Sequence, residues 1–262
     1  SGNLNWSMTR TLVLRAGASR TLSRPDLNEL SPSPALEYVG GFQVTGNPDL
    51  HRATIENYDL RLEMFPRLAE VLAAGVFLKR LHEPIEQAIK GGSPDILKPV
   101  NSDRGQNVGV ELEARLGLGR LTRKLDRLSL NTNASFIRSR VKLKPDVTVK
   151  GTQEHPLQGQ ATYVLNGGLS YATKGGGTEA ALLYTATGWR LAELNNSPLP
   201  DIYEAPTSSL DATLAMTPWA HWRVKFAARN MLDPRVRRMF GEHEESGYYN
   251  GRSFSAAISF GS

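Results

Sequence analysis

The feature that most constrains this chain is a two-residue alternation of apolar with small or polar side chains, which is clearest over residues 251–260. There Phe254, Ile258 and Phe260 point to one side and the intervening serines to the other, because side chains of a strand alternate with period two. One such segment would suit a half-buried strand of a soluble protein. The pattern recurs about eleven times, each time with an apolar face, and this repetition is typical of a transmembrane β-barrel.

The alternation predicts an all-β fold in which about eleven strands follow one another as an antiparallel meander. A helix would need apolar residues at spacings of three and four, which these segments do not supply. The predicted strands are residues 3–9, 11–22, 53–65, 71–88, 106–118, 127–142, 159–173, 178–192, 206–217, 220–231 and 248–260.

The same alternation predicts which side chains meet lipid and which line the interior of a barrel. The outward set is apolar and comprises Leu60, Leu112, Val224 and Ile258. The inward set is polar or charged and comprises Asp59, Glu111, Arg223 and Ser259.

The connections differ in length at the two ends of the predicted strands. Short turns fall at residues 9–10, 66–69, 174–177 and 218–219, with a somewhat longer link at 121–126. Long connections fall at residues 23–52, 89–105, 143–158, 193–205 and 232–247. Short turns at one end and long loops at the other are typical of outer-membrane barrels, whose long loops lie outside.

Aromatic side chains cluster at the same strand ends, as expected for rings that prefer the headgroup level of a bilayer. Those near the short turns are Trp6, Phe65, Tyr171, Trp219, Trp222 and Phe260; those nearer the long connections are Phe136, Tyr163 and Trp189. The first set predicts an aromatic girdle at the periplasmic side of the membrane.

Composition excludes several other classes of protein. No apolar run approaches the roughly 18 residues of a spanning helix, and the absence of cysteine excludes disulfides and thiolate-bound metals. The net charge of +5 comes from scattered Lys and Arg, so we expect no nucleic-acid partner. The first residues lack a basic segment followed by an apolar one, which predicts that the chain starts within a longer protein rather than at a signal peptide.

No group of residues predicts catalysis, a metal or a cofactor. The five histidines lie in separate loops and turns without metal-ligand spacing: His51, His82, His155, His221 and His243. The three glycines at 175–177 are not followed by the Lys-Ser or Lys-Thr of a phosphate-binding loop, so they predict a turn. The chain is therefore expected not to be an enzyme.

Seven short motifs, taken in order, resemble the C-terminal half of the barrel of TonB-dependent outer-membrane receptors. They are LRAGASRTLSRPDLNEL at 14–30, GNPDL at 46–50, NYDLRLE at 57–63, PIEQ at 84–87, GVELE at 109–113, PDIYE at 200–204 and GRSF at 251–254. The resemblance covers nearly the whole chain. It implies that residues 1–262 are the C-terminal part of a barrel of about 22 strands whose remaining strands and N-terminal plug domain lie outside this sequence.

The resemblance also implies a function and partners. It implies import of a bulky nutrient, such as a siderophore, an oligosaccharide or a peptide, across the bacterial outer membrane. Energy would come from an inner-membrane coupling protein acting through the plug, with outer-membrane lipid and the barrel assembly machinery as further partners. The two edges of the meander, near residues 4–8 and 254–260, are expected to pair with strands absent from this chain.

Three groups of residues are candidates for this function. Aromatic residues in or beside the long loops are candidates for solute contact, because such rings stack on sugars and planar chelates: Tyr38, Phe42, Trp189, Tyr203, Tyr248 and Tyr249. Phe254, Ile258 and Phe260 are candidates for recognition by the assembly machinery, with a girdle role for Phe260 as the alternative. The inward charges Asp59, Glu63, Glu111, Glu113, Arg61, Arg115 and Arg223 would either contact a plug or solute, or pair with one another.

One other function remains open from the sequence, and a second lacks the residues that it would need. The chain could be a structural or interaction barrel that pairs with another chain or anchors a surface complex. A small barrel enzyme such as a lipid hydrolase would need neighbouring Ser and His residues, and the sequence shows no such pair.

Overall fold

In this computed structural model the described parts of the chain contain twenty strands, numbered here in chain order. The described residues are 1–36, 43–90, 96–144, 154–195 and 200–261. The strands are β1 Gly2–Ser7, β2 Leu12–Ser23, β3 Ala35–Leu36, β4 Gln43–Val44, β5 Ala53–Met64, β6 Val71–His82, β7 Ile85–Lys90, β8 Ile96–Asn101, β9 Arg104–Gly117, β10 Leu128–Lys142, β11 Glu154–His155, β12 Tyr163–Ala172, β13 Thr178–Thr187, β14 Arg190–Asn195, β15 Ile202–Glu204, β16 Thr207–Trp219, β17 Trp222–Arg229, β18 Arg235–Phe240, β19 His243–Tyr249 and β20 Ser253–Phe260.

Helical structure in the same residues is limited to one turn of α-helix and two turns of 3₁₀-helix. These are α1 (Leu27–Leu30) and the 3₁₀ turns Leu118–Arg120 and Arg123–Leu125. None of the helices among the described residues has the length and apolar character to span a bilayer.

Eleven long strands form the main sheet, which we call the wall, in the order β1-β2-β5-β6-β9-β10-β12-β13-β16-β17-β20. Each pairs antiparallel with its neighbours, and β11 adds two residues beside β10. β1 and β20 lie at opposite ends of this order, so the sheet is open. The all-β fold and the antiparallel meander of eleven strands are thus confirmed.

The register of the wall separates the two faces as the sequence predicts. Leu60 lies opposite Val76, and Leu112 lies opposite Ala74. At the other end of the wall Val224 lies opposite Ile258. Residues opposite each other share a face, and following the pairs across the sheet puts all four predicted outward residues on one face, which we call the outer face.

The same register puts the predicted inward residues on the other face. Asp59 lies opposite Gly17 and Phe77, and Glu111 lies opposite Gly75 and Ser135. Arg223 lies opposite Ser259. The second face, called here the inner face, is therefore polar and rich in small residues.

A second sheet, which the sequence did not predict, is built from the long connections. This outer sheet has the order β19-β18-β15-β14-β7-β8-β4-β3, with parallel pairing between β7 and β14 and between β4 and β8. The five long connections are expected from the sequence to lie between strands, and each of them contains strand residues instead. β3 and β4 lie in 23–52, β8 in 89–105 and β11 in 143–158, while β14, β15, β18 and β19 lie partly or wholly in 193–205 and 232–247.

Three predicted strands are wrong in the same way, because each runs through a break between the wall and the outer sheet. The segment 71–88 breaks at Glu83, whose φ of 52° lies in the left-handed region that non-glycine residues rarely adopt. The segment 178–192 breaks at Gly188, where any Cβ would lie 2.3 Å from the Thr162 hydroxyl. The segment 248–260 breaks at Gly251, with φ of 80°.

The turn between β16 and β17 also lies two residues later than predicted. β16 continues to Trp219, and the chain reverses at Ala220 and His221, which has φ of 69°. The pairing register shifts between Met216 and Trp219, where Pro218 cannot donate a backbone hydrogen bond. A bulge therefore absorbs the proline, and the strand continues past it.

The packed core of the described structure lies in the outer sheet. One cluster joins Ala88, Val100, Leu143, Leu191 and Leu194, and a second joins Ile89, Leu97 and Ile202. These residues come from β7, β8, β14 and β15 and from the segment that follows β10. The connections are thus held together by apolar packing, which fixes the outer sheet as a folded layer above the wall.

Candidate functional site

The inner face carries a row of alternating charges across β2, β5 and β9. Glu63 accepts hydrogen bonds from Arg15 Nε at 2.8 Å and from Arg61 Nε at 2.9 Å. A second Arg61 nitrogen lies 2.5 Å from Glu113, and Arg115 lies 3.8 Å from the other oxygen of Glu113. Each carboxylate lies between two guanidinium groups, so the pairing interpretation holds for this row.

The other charged side chains of the inner face differ in whether they form ion pairs. Arg223 of β17 forms an ion pair at 2.6 Å with Glu179 of β13, and β16 lies between these two strands. Asp59 and Glu111 are exposed and make no ion pair or hydrogen bond with a described side chain. The pairing interpretation therefore does not extend to these two carboxylates, which leave negative charge on the inner face.

A buried polar cluster fixes the outer sheet to the segment that follows β10. The Glu86 carboxylate accepts a hydrogen bond from the Ser102 hydroxyl at 2.6 Å and one from the backbone N–H of Gln158 at 3.2 Å. His155 Nε2 lies 3.5 Å from Glu86, and both side chains are almost fully buried. Burial raises the pKa of Glu86 above its ordinary value.

The geometry of this cluster supports a structural role. A nucleophilic serine needs a histidine base within hydrogen-bonding distance, yet here Ser102 and His155 both face the same carboxylate. Ser102 is fully buried and cannot reach a substrate. Gln158 adds hydrogen bonds to the backbone of Gln87 and of Ala192, so the cluster connects β7 to β14.

Sequence reasoning missed this cluster, although one signal for it was present. The segment GGSPD at 91–95 has a composition typical of a turn, and it separates two short segments that contain apolar residues, IEQAIK at 85–90 and ILKPVN at 96–101. That pattern predicts a hairpin, and β7 pairs antiparallel with β8. His155 lies in a long connection, as predicted, and its position against Glu86 follows only from tertiary packing.

The aromatic candidates for solute contact occupy different environments. Trp189, Tyr248 and Tyr249 are exposed. Tyr203 is half-buried against the core of the outer sheet, where burial and the nearby Asp201 carboxylate raise its pKa. Tyr38 and Phe42 lie outside the described residues.

Tyr248 borders a cavity of about 420 Å³ between the outer sheet and the ends of β13 and β16. Its polar lining includes Thr187, Arg190, Glu204 and Asn230. Arg190 and Glu204 form an ion pair across β14 and β15. The cavity therefore combines an aromatic ring with charged and hydroxyl groups, which is chemistry suited to a polar solute.

The last strand has one paired edge and one open edge. β20 pairs with β17 along its whole length, and no other described strand pairs with it. Phe254, Ile258 and Phe260 are exposed on the outer face. The Phe260 ring packs against Trp222 at a centroid distance of 5.1 Å, within the predicted aromatic girdle.

Replacing Phe260 with Ala separates the two roles predicted for this residue. If Phe260 is an assembly signal, the complete protein should insert more slowly and reach near-normal stability, because the interaction acts before folding ends. If it is an anchor, insertion should keep its normal rate and the folded protein should melt at a lower temperature. Pulse-chase assembly assays and thermal melting measure these outcomes, with Phe226→Ala, an exposed ring on the outer face of the neighbouring strand β17, as the control. Normal insertion and normal melting together would contradict both roles.

The family model described as TonB dependent receptor-like, beta-barrel matches residues 1–231. A search of curated proteins found no significant match.

Solved structures with the same fold cover nearly the whole chain. The ferric enterobactin receptor PfeA from Pseudomonas aeruginosa, in complex with enterobactin, superposes with a TM-score of 0.65 at 17% identity, covering 98% of this chain and 40% of that chain. The siderophore receptor PirA from Pseudomonas aeruginosa gives 0.63 at 18% identity, with 98% and 41% covered. The copper transporter OprC gives 0.69 at 14% identity, with 98% and 38% covered. The chain thus spans about two fifths of the length of these structures, and identities this low establish similarity of fold.

Proposed function

The chain belongs to the TonB-dependent receptor β-barrel family, and from this premise we propose that it forms part of a transporter that imports a bulky nutrient across the bacterial outer membrane. Barrels of this family are outer-membrane proteins and are receptors or transporters.

The observation that carries the proposal is the two-faced wall beneath a folded outer sheet. The outer face carries a continuous band of apolar side chains, as a surface against lipid must. The inner face is polar and bears ion pairs together with the exposed carboxylates Asp59 and Glu111. Once closed by further strands, such a wall would enclose a polar interior with room for a solute or a plug domain.

We propose that further strands of the same protein close this wall into a larger barrel. An unpaired strand edge in lipid leaves backbone groups unsatisfied, at a cost of several kcal/mol for each group. β1 and β20 each have one partner in the described structure. Strands outside this sequence would satisfy both edges, which agrees with the share of the similar solved structures that the chain covers.

Cysteines at the two edges test closure directly. We expect no disulfide between Asn5→Cys and Ser259→Cys in the complete receptor, because the two strands would be separated by the rest of the barrel wall. A disulfide needs Cα atoms within about 7 Å, and the chain has no cysteine of its own to interfere. Asn5→Cys with Arg15→Cys, whose Cα positions are paired, is the positive control. A disulfide between residues 5 and 259 would show a self-contained small barrel and overturn the closure proposal.

Within the proposed transporter, Asp59 and Glu111 would face the plug, through which the inner-membrane coupling protein supplies energy. The exposed rings of Trp189, Tyr248 and Tyr249 would contact the solute on its way in. PfeA is named as a ferric enterobactin receptor, PirA as a siderophore receptor and OprC as a copper transporter. A metal chelate is therefore the first solute class to test.

The test is uptake by the complete receptor in a bacterial strain that lacks its own siderophore receptors. We expect saturable uptake of at least one ⁵⁵Fe-loaded siderophore, abolished by a protonophore that collapses the inner-membrane proton gradient. Uptake that persists with the protonophore would contradict energy coupling. A receptor that inserts correctly but imports none of the iron or copper chelates would favour the alternative, a structural barrel that pairs with another chain. The open edges of β1 and β20 are the observation that supports this alternative.

A further inference from the structure

A cluster of basic side chains lies on the outer face of the wall, at the ends of the strands that lead into the outer sheet. The pairing register places six cations on the same face as Leu60 and Leu112: Arg20, Arg80, Arg104, Arg138, Arg140 and Lys142. We call this cluster the basic patch. Two carboxylates of the same face, Glu56 and Glu154, lie among them, so positive charge is in excess.

Most of this charge is not neutralised by the residues that the structure describes. Arg140 lies 3.3 Å from Glu154, and Arg104 lies 3.3 Å from Asp103. Arg20, Arg80, Arg138 and Lys142 make no ion pair with a described residue. Exposed guanidinium groups present planar forks of N–H donors that match phosphate oxygens.

The patch is confined to one sector of the wall. The outer-face positions of β12, β13, β16, β17 and β20, all fully described, carry no charged side chain. At the ends of those strands nearest the outer sheet the corresponding residues are uncharged, as Ala186, Ser208 and Ala228 show. Snorkelling cations that only mark the membrane boundary would be expected around the whole wall, so a local cluster indicates a local ligand.

The strand lengths place the patch at the level of the headgroups. A tilted strand needs about 9–11 residues to cross the hydrocarbon core, and β10 has 15 residues. Its outer face is apolar or uncharged from Leu128 to Phe136 and basic from Arg138 onward. Arg104 lies four residues beyond Val108 on β9, which puts it about 10 Å above the apolar band for a strand tilted by roughly 40°.

A cavity of about 430 Å³ lies within the patch, lined by charged side chains together with apolar surface. Its lining includes Arg80, His82, Arg104, Arg140 and Lys142. Directly below, on the same face, lie the apolar side chains of Leu78 and Val108. A ligand that satisfies both surfaces has anionic groups at one end and hydrocarbon chains at the other.

From these observations we infer that the basic patch binds the phosphorylated sugar headgroup of an outer-leaflet glycolipid, with the acyl chains of the lipid packed on the apolar band below. The inference rests on the proposed orientation of the wall in the outer membrane. It adds a specific lipid site to a surface that would otherwise contact lipid without selectivity.

The test measures lipid bound to the complete receptor by native mass spectrometry, in detergent with lipid A carrying two phosphates, one phosphate or none. We expect binding to fall at least tenfold from the bisphosphorylated to the unphosphorylated lipid, and inorganic phosphate at equal concentration not to compete. A triple variant, Arg80→Gln, Arg104→Gln and Arg140→Gln, should lose at least tenfold in affinity for the bisphosphorylated form. The control triple, Arg67→Gln, Arg123→Gln and Lys124→Gln, removes three exposed cations at the opposite strand ends and should bind as the unaltered receptor does.

Equal binding of the three lipids by the unaltered receptor would overturn the inference without any variant. Equal loss in the two triple variants would also overturn it, because total charge rather than the patch would then decide binding. Insertion is scored separately by the shift in gel mobility on heating. A receptor that inserts but does not distinguish the lipids contradicts the lipid site and leaves the transport proposal intact, whereas a receptor that does not insert contradicts both.

Discussion

Arginine in place of Leu112 should destabilise the folded receptor by about 2–4 kcal/mol, the cost of a basic residue on the lipid face near the bilayer midplane. Leu112 is 46% exposed on the outer face, flanked by Ala74 and Ala134. A guanidinium at this position would lie in hydrocarbon. Its neighbours on the same face are alanines, so no carboxylate beside it could form an ion pair. Reversible urea unfolding of the complete receptor in lipid vesicles measures the change.

The matched control is Glu111→Arg, one residue away on the opposite face. Glu111 lies opposite Gly75 and Ser135, so the inner face has room for a longer side chain and access to water. We expect its free energy of unfolding to change far less than that of Leu112→Arg. Val224→Arg should fall at the lower end of the range, because Val224 lies two residues from Trp222 in the aromatic girdle, where the penalty is smaller. Equal tolerance at residues 111 and 112 would contradict the assignment of the faces.

Truncating Leu191 to Ala should loosen the outer sheet by about 2–5 kcal/mol, the usual cost of such a change in a packed core. Leu191 is 0% exposed and packs with Ala88, Val100 and Leu194. Its removal leaves a cavity between β7, β8 and β14 of the outer sheet, to which β19 with the exposed rings of Tyr248 and Tyr249 also belongs. Hydrogen exchange of the complete receptor should show faster exchange of the β7 and β14 amides with the wall amides unchanged.

Leu121→Ala is the control for this prediction. Leu121 is 77% exposed in the link between β9 and β10, so its truncation should change stability by no more than about 0.5 kcal/mol. If exchange in β7 and β14 were the same in both variants, the outer sheet would not be held by this core. A change that spread to β2 and β5 would instead show that the outer sheet and the wall unfold together.

The alternation was sufficient to predict the wall because it is a local property. In β5 the apolar residues Tyr58, Leu60 and Leu62 alternate with charged ones, and lipid on one side and water on the other impose this period on every strand that crosses. The register follows from the same requirement, because a slip by one residue would turn Leu60 and its neighbours into the polar interior. The two faces and the open meander could therefore be predicted from the sequence.

The outer sheet could not be predicted in the same way, because its strands are buried by contacts between distant connections. Leu191 and Leu194 of β14 pack against Ala88 of β7, and β14 pairs in parallel with β7, although about 100 residues separate them along the chain. Short strands of three to six residues that pair in this way carry no strong period of their own. The predicted long strands consequently ran through Glu83, Gly188 and Gly251, where the backbone leaves the wall.

The features of the candidate sites likewise divide into those that the local sequence determines and those that depend on contacts between strands. The sequence by itself determined the all-β wall, its apolar outer face and its charged inner face, because the surroundings of each strand are imprinted on every second residue. Only the tertiary structure decided which charges pair: Glu63 and Glu113 do so while Asp59 and Glu111 do not. It also decided that Glu86 and His155 meet in a buried cluster and that six scattered cations form one basic patch. Each of these contacts joins residues from different strands or connections, and their distances depend on how the strands pair and pack rather than on any spacing within one segment.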